Sequence, residues 1–309
     1  MHPRFAFLVL PYTRAELPGW RMLLERAGLW GEVSTVRWMS LPKVRVRGKR
    51  HGYIMSLDRS DWAQRLTYFL GRYYELAVLG ALDALLRPGD RFVDVGANIG
   101  MISLHARHLV GDAGRIDSFE PNPDCVDSIH EHLRINDISN VFVHPVALAE
   151  TRAFMNLNLT SEHSGTATLA SAGIDAIRSV SVRVCVGDDL LQEPPRLIKI
   201  DVEGFERRVL GGFAKTLAVH KPFLIVELDD EHLVPAGTSV AAVAGHLFDL
   251  GYEAFGLSTV RERLRHRLVL KPVPRHGDFG AFTDILWSHI DRRPELGAIF
   301  GDLAQVGGS

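Results

Sequence analysis

The sequence predicts an α/β fold: a mostly parallel sheet covered by helices on both faces, with a late antiparallel strand and an N-terminal β/α extension. Three observations predict it. From residue 91 onward, short apolar runs alternate with helical segments of about 10–15 residues. A glycine-rich turn joins the first of these runs to its helix. The composition is that of one globular body, with 46% apolar and 23% charged residues over 309 positions and no internal repeat.

The elements follow in order. The start, MHPRFAFLVLPY, is too short in its apolar part for a signal peptide and is expected as a buried strand or packing arm. Ala15–Leu29 suits a helix, with Trp20, Trp30 and Trp38 as packing area. From Lys43 to Leu57, Val44 and Val46 alternate with Arg45 and Arg47, which predicts a hairpin turning near Gly48 and Gly52. Its basic residues suit an acidic partner or, more ordinarily, a solvated face. Asp58 or Ser60 caps a helix that Gly71 breaks, and a second helix ends at Arg87-Pro88-Gly89.

Strands are then expected at Arg91–Val95, Arg115–Phe119, Val141–Ala147, Leu197–Ile200 and Phe223–Glu227. Helices separate them over Ile99–Leu109, Asp124–Ile135, Phe205–Leu217 and Val240–Leu250. Tyr252–Leu257 and Thr283–Ser288 are late strands, the last antiparallel. Two stretches interrupt the rhythm. Residues 149–187 hold two β-type segments around a polar loop with Ser161, His163, Ser164 and Thr166. Residues 258–281 are basic and irregular, or an exposed arginine-rich hairpin. The expected division is an extension at 1–57, a catalytic domain at 58–291 and a tail at 292–309.

Composition excludes several classes. The formal charge is −2, so bulk affinity for nucleic acid is not expected. No stretch reaches the roughly 18 to 20 apolar residues of a membrane span. Cys125 and Cys185 are the only cysteines and have no zinc-ligand spacing, which fits a reducing, cytoplasmic setting.

The turn Asp94-Val95-Gly96-Ala97-Asn98-Ile99-Gly100 carries the chemistry. Gly96 and Gly100 allow close backbone approach to a ligand, and the next helix points its positive end there. No Lys-Ser/Thr pair follows, so it is not a phosphate loop, and the dinucleotide pattern G-x-G-x-x-G is broken. Asp94 suits an ammonium group. Glu120, ending the second strand before Pro121, can accept two hydrogen bonds from a ribose diol. A ligand with a cationic amino-acid end and an unphosphorylated ribose fits S-adenosylmethionine.

These segments resemble the FkbM family of S-adenosylmethionine-dependent methyltransferases. The resemblance runs through residues 94–100, Phe119-Glu120-Pro121-Asn122-Pro123, Val146-Ala147-Leu148 and Lys199-Ile200-Asp201-Val202-Glu203-Gly204-Phe205-Glu206, with Phe69-Leu70-Gly71-Arg72-Tyr73-Tyr74-Glu75 upstream. It covers about 58–257. It implies a Rossmann-like class I methyltransferase sheet and a cofactor site of Glu75, Asp94, Gly96, Asn98, Gly100, Glu120, Pro121, Ala147 and Asp201. It also implies an acceptor hydroxyl on a polyketide, sugar or glycolipid.

The fourth-strand motif reads independently. Lys199, Asp201 and Glu203 share one parity at the end of a strand that should be buried, so their charge marks a site. An alcohol needs a general base, for which Asp201 is the first candidate, then Glu227 and His163. Glu206 is expected to cap its helix or pair with Arg207 and Arg208, and His144 to be structural. Asp201, Glu203 and Glu227 would be oxygen ligands for a divalent metal, though no metal is expected. Competing readings are a non-catalytic cofactor-binding partner, and a nicotinamide-dependent oxidoreductase, which the broken glycine pattern opposes.

Overall fold

The N-terminal region is helical where the sequence suggested a buried strand or packing arm. The computed structural model describes residues 2–30, 35–39, 41–159, 167–169, 178–262 and 265–301. Pro3–Leu8 forms a 3-10 helix that continues into α1 (Leu10–Arg14), because Pro3 and Pro11 preset helical φ and each sits near a helix start. Ala6, Val9 and Thr13 turn inward, while Phe5, Phe7 and Leu8 face solvent. The helix expected over Ala15–Leu29 is only α2 (Trp20–Arg26), since Gly19 in left-handed backbone starts it late. A single turn, α3 (Thr35–Trp38), follows.

The predicted hairpin forms from β1 (Val44–Arg47) and β2 (Ile54–Leu57), antiparallel with Val46 opposite Met55. Asp61 caps α4 (Trp62–Leu70) by accepting from the Gln64 amide, and Gly71 ends it in left-handed backbone. Helix α5 (Leu76–Leu85) is buried along one side through Val78, Leu79, Leu82 and Leu85. These side chains share one core cluster with Leu24, Trp38, Met55 and Leu57 of the N-terminal region.

The alternating part gives β3 (Arg91–Val95), α6 (Met101–Val110), β4 (Arg115–Phe119), α7 (Pro123–Ile135) and β5 (Val141–His144). The third strand does not run on to Ala147. It stops at His144, and β6 (Ala147–Leu148) joins a separate sheet with β7 (Ala153–Leu159), β8 (Ala167–Thr168) and β9 (Arg178–Cys185), in the order β6-β9-β7-β8. The interruption at 149–187 is therefore a small sheet; His163 and its polar loop lie outside the described residues.

Strand β10 (Leu197–Ile200) is followed by α8 (Glu206–Gly212) and α9 (Ala214–His220), two helices where one was expected, divided at the buried Phe213. Then come β11 (Phe223–Glu227), the short α10 (Asp230–Leu233), α11 (Val240–Asp249), β12 (Tyr252–Glu262), β13 (Arg265–Val273), β14 (Asp284–His289) and α12 (Arg293–Phe300). The central sheet has the order β13-β12-β14-β11-β10-β3-β4-β5. The five strands from β11 to β5 are parallel, and the remaining three pair antiparallel. The basic stretch at 258–281 is thus mostly regular. It extends β12 and supplies β13, whose Leu268 and Leu270 pack on the core while Arg267 and Lys271 stay exposed.

Candidate active site

The order of the parallel strands reverses beside β3, and ligands of open parallel sheets bind at the carboxyl ends of strands near such a reversal. A cleft with about 1180 Å³ of empty space opens there. Register builds its floor. Lys199 of β10 lies beside Asp94 of β3, and Glu227 of β11 lies beside Asp284 of β14. Asp201 follows β10 directly and sits next to Glu227, its amide held by the Val95 carbonyl at 3.0 Å.

Lys199 is 2% exposed, and its Nζ donates to Asp201 Oδ2 at 2.6 Å. Burial alone would lower its pKa; Asp201, Glu75 and Asp94 together hold it well above the ordinary lysine value. Burial likewise favours a neutral Asp201, but the Lys199 charge outweighs it and keeps this carboxyl below the usual range. The Asp201 charge, aided by burial, pushes Glu227 up to about 12. Glu227 therefore carries the proton of this pair and shares it with Asp201.

Further carboxylates surround the lysine. Asp94 is fully buried and raised by that burial; its Oδ2 accepts from Ser103 Oγ at 2.5 Å, while Oδ1 has no partner among the described residues. Glu75, also raised by burial, takes the Tyr73 hydroxyl on Oε1 at 3.2 Å, and Oε2 has no partner among the described residues. Glu75, Asp94, Asp201, Glu227 and Asp284 thus surround one ammonium.

Glu120 is placed as expected, at the end of β4, but its carboxylate already brackets two turns. Oε2 accepts the Asn98 amide at 2.7 Å and Oε1 the Asn122 amide at 2.8 Å. Asn98 reaches it from left-handed backbone, φ 49°, which asparagine tolerates. Burial pushes Glu120 up to about 7. Pro121 and Ala147 also line the cleft.

Two glycines differ from expectation. Gly96 lines the cleft at φ 80°, but a Cβ there would overlap the Asp201 backbone oxygen. The close approach it permits is therefore that of β10. Gly100 does not line the cleft; it starts α6 in left-handed backbone, and a Cβ would press on Ile129 at 3.2 Å.

The candidate metal set does not converge. Glu203 points to His232, whose Nδ1 lies 2.5 Å from its Oε2, and this bond raises His232 to about 9. Among the described residues no group of three or more His, Cys, Asp or Glu side chains is arranged to hold a metal ion. Glu206 caps the turn before α8, accepting the Val202 and Gly204 amides on Oε1, while Arg208 pairs with Glu150. His144 pairs with Asp117 at 2.9 Å and stacks on Phe119.

The profile of the methyltransferase FkbM domain matches residues 94–254, more than half of the chain. The chain belongs to the FkbM methyltransferase family. A curated relative, the hexuronic acid methyltransferase AglP of Haloferax volcanii, is 30% identical over 143 residues. That match covers 45% of this chain and 56% of the relative, so the FkbM chain here spans little more than half of it. Among solved structures, methyltransferase FkbM from Methylobacillus flagellatus is similar at 15% identity and a TM-score of 0.42, over 73% of this chain and 54% of that one. An S-adenosylmethionine-dependent O-methyltransferase from Thermotoga maritima follows at 12% identity and 0.38, over 72% and 67%.

Sequence reasoning missed Tyr73, Tyr74 and Gln64, which line the cleft from before the matched FkbM segment, and Asp284 as part of the acidic floor. Asp284 had a signal, a carboxylate at the start of an apolar strand. The tyrosines look like ordinary packing residues until the loop before α5 folds over the cleft.

Proposed function

We propose that this chain is an S-adenosylmethionine-dependent O-methyltransferase acting on a hydroxyl of a small natural product, sugar or glycolipid. The observation that carries the reading is in the cleft floor: beside the Lys199–Asp201 pair, the buried Asp94 Oδ1 and Glu75 Oε2 have no hydrogen-bond partner among the described residues. Such a site favours a ligand with positive charge and N–H donors, and S-adenosylmethionine has both. Asp94 and Glu75 would take its ammonium end. Glu120 retains lone pairs for a ribose diol beyond the two amides it accepts. When bound, the cofactor supplies an electrophilic methyl group.

Asp201 is the residue proposed to face the acceptor. Its side chain is 20% exposed and ionised. Orienting the hydroxyl is its main task, because positioning supplies much of such an acceleration. It takes the proton late, once the alkylated oxygen has become a far stronger acid than any carboxyl group. Glu227 already holds a proton and so steadies Asp201 rather than acting as base. The AglP relative's name supports sugars within the acceptor range.

Calorimetry and a methyl-transfer assay on hydroxylated acceptors, hexuronates included, test this. The wild type should bind S-adenosylhomocysteine and not NAD. Asp201→Asn should keep that affinity within a few-fold and lose about 10²–10⁴ in turnover. A folded Asp201→Asn with full turnover would remove its role; no S-adenosylhomocysteine binding by the wild type would remove the whole reading.

A further inference from the structure

We propose that the N-terminal region docks on an anionic membrane surface. The first two helical turns have an inverted surface: Ala6, Val9 and Thr13 are buried, while Phe5, Phe7 and Leu8 are 53%, 57% and 61% exposed. A surface helix of a soluble domain normally shows polar residues there. Seven of the thirteen exposed large apolar side chains of the described residues fall within the first 39 positions, among them Met22, Val36 and Met39. Apolar exposure concentrated on one short helical segment, Phe5 to Leu8, marks an interaction surface.

Charge selects the partner. Residues 1–59 carry eleven Lys and Arg against four Asp and Glu, a balance of +7, while residues 60–309 carry 24 against 33, a balance of −9. The near-neutral total conceals a strongly polar molecule. Arg4, Arg26 and Arg45 form no ion pair among the described residues. Basic and apolar side chains together suit the interface of an anionic bilayer, where the first attract headgroups and the second enter the acyl boundary. A nucleic acid could stack on an aromatic but would gain little from exposed Leu8, Met22 and Val36. A second copy would bring +7 against +7. No helix among the described residues is long and apolar enough to cross a membrane, so attachment through this surface is peripheral.

Flotation of the full chain tests it, using vesicles of phosphatidylcholine alone and vesicles with about 30% phosphatidylglycerol. The chain should float with the anionic vesicles only and be released as salt rises from about 50 to about 500 mM. Phe7→Ser with Leu8→Ser should weaken binding at least tenfold, and Arg4→Glu with Arg45→Glu should do the same. Thermal midpoint and S-adenosylhomocysteine affinity should be unchanged in both, since these side chains lie away from the cleft. Equal flotation with both vesicles, none at low salt, or variants that float like the wild type would overturn the proposal. So would a concentration-dependent dimer in light scattering that Phe7→Ser with Leu8→Ser abolishes, which would assign the patch to a second copy.

Discussion

Lys199 sits beneath five carboxyl groups, and its value to the fold depends on that company. Removing one partner of a buried ion pair costs about 3–5 kcal/mol, because the other charge is left uncompensated. Lys199→Met should therefore lower unfolding free energy at pH 7.5 by about that amount, read by urea denaturation. Part of the loss should return near pH 5, where the carboxyl groups can protonate. An unaltered midpoint would mean that the floor relaxes or hydrates without its lysine. At this scale the sequence was informative about identity and less so about partnership. The same-parity run Lys199, Asp201 and Glu203 was visible as buried charge. That Lys199 pairs with Asp201, and Glu203 instead with His232, depends on strand register and on left-handed backbone at Glu203, φ 53°. Glu120 was legible as a strand-end carboxylate, but the two amides that it brackets come from turns the sequence does not orient.

The turn after β3 and the strand β10 act as one element. Gly96 and the Asp201 carbonyl meet so closely that no side chain fits, and the backbone at Gly96 is left-handed. An alanine there is predicted to destabilise the protein by more than 2 kcal/mol, combining strain of about 1–3 kcal/mol with displacement of β10. This goes beyond the expectation that Gly96 serves close approach to a ligand, under which a larger residue would block only the cofactor. Thermal unfolding of Gly96→Ala decides between them: a wild-type midpoint with lost S-adenosylhomocysteine affinity would restore the simpler one. Parallel strands were legible because burial on both faces leaves apolar runs between helices. The N-terminal helices were not, since Phe5–Leu10 is apolar enough for a strand and only the prolines hint at helix. Strand β13 was obscured by its position at the sheet edge, where Arg267 and Lys271 stand in place of an apolar face, a common guard against edge pairing.

Across the whole molecule, the acidic floor should govern stability above neutral pH. Glu120 and Glu206 are pushed by burial to about 7, and Asp284, also by burial, to about 8. All three lie above their unfolded values, so the folded state holds more protons, and their stabilising protonation is lost as pH rises through these values. His232, raised to about 9 chiefly by its bond to Glu203, has the same sign between its unfolded value and 9. Below pH 6.5 other groups oppose them. Burial drives His51 down to about 3 and lowers His132, so these imidazoles make stability rise with pH until the unfolded chain has lost those protons. Glu16, which burial would raise but Arg72 and Lys49 hold at about 2, adds stability that is lost only in strong acid. Above about pH 7.5, where the unfolded imidazoles have shed their protons, the balance is left to groups of one sign. Each proton shed costs about 1.4 kcal/mol per pH unit, so one or two protons amount to about 1.4–3 kcal/mol between pH 7.5 and 8.5. The ligand-free thermal midpoint should fall from pH 7.5 to 8.5, and Asp284→Asn, which cannot ionise, should make that fall shallower. Saturating S-adenosylhomocysteine should restore more stability at pH 8 than at pH 6.5, because its ammonium meets a more fully ionised floor. A ligand-free midpoint that is flat or rises across this range would show that the carboxyl groups are not held protonated as the burial of the cleft requires.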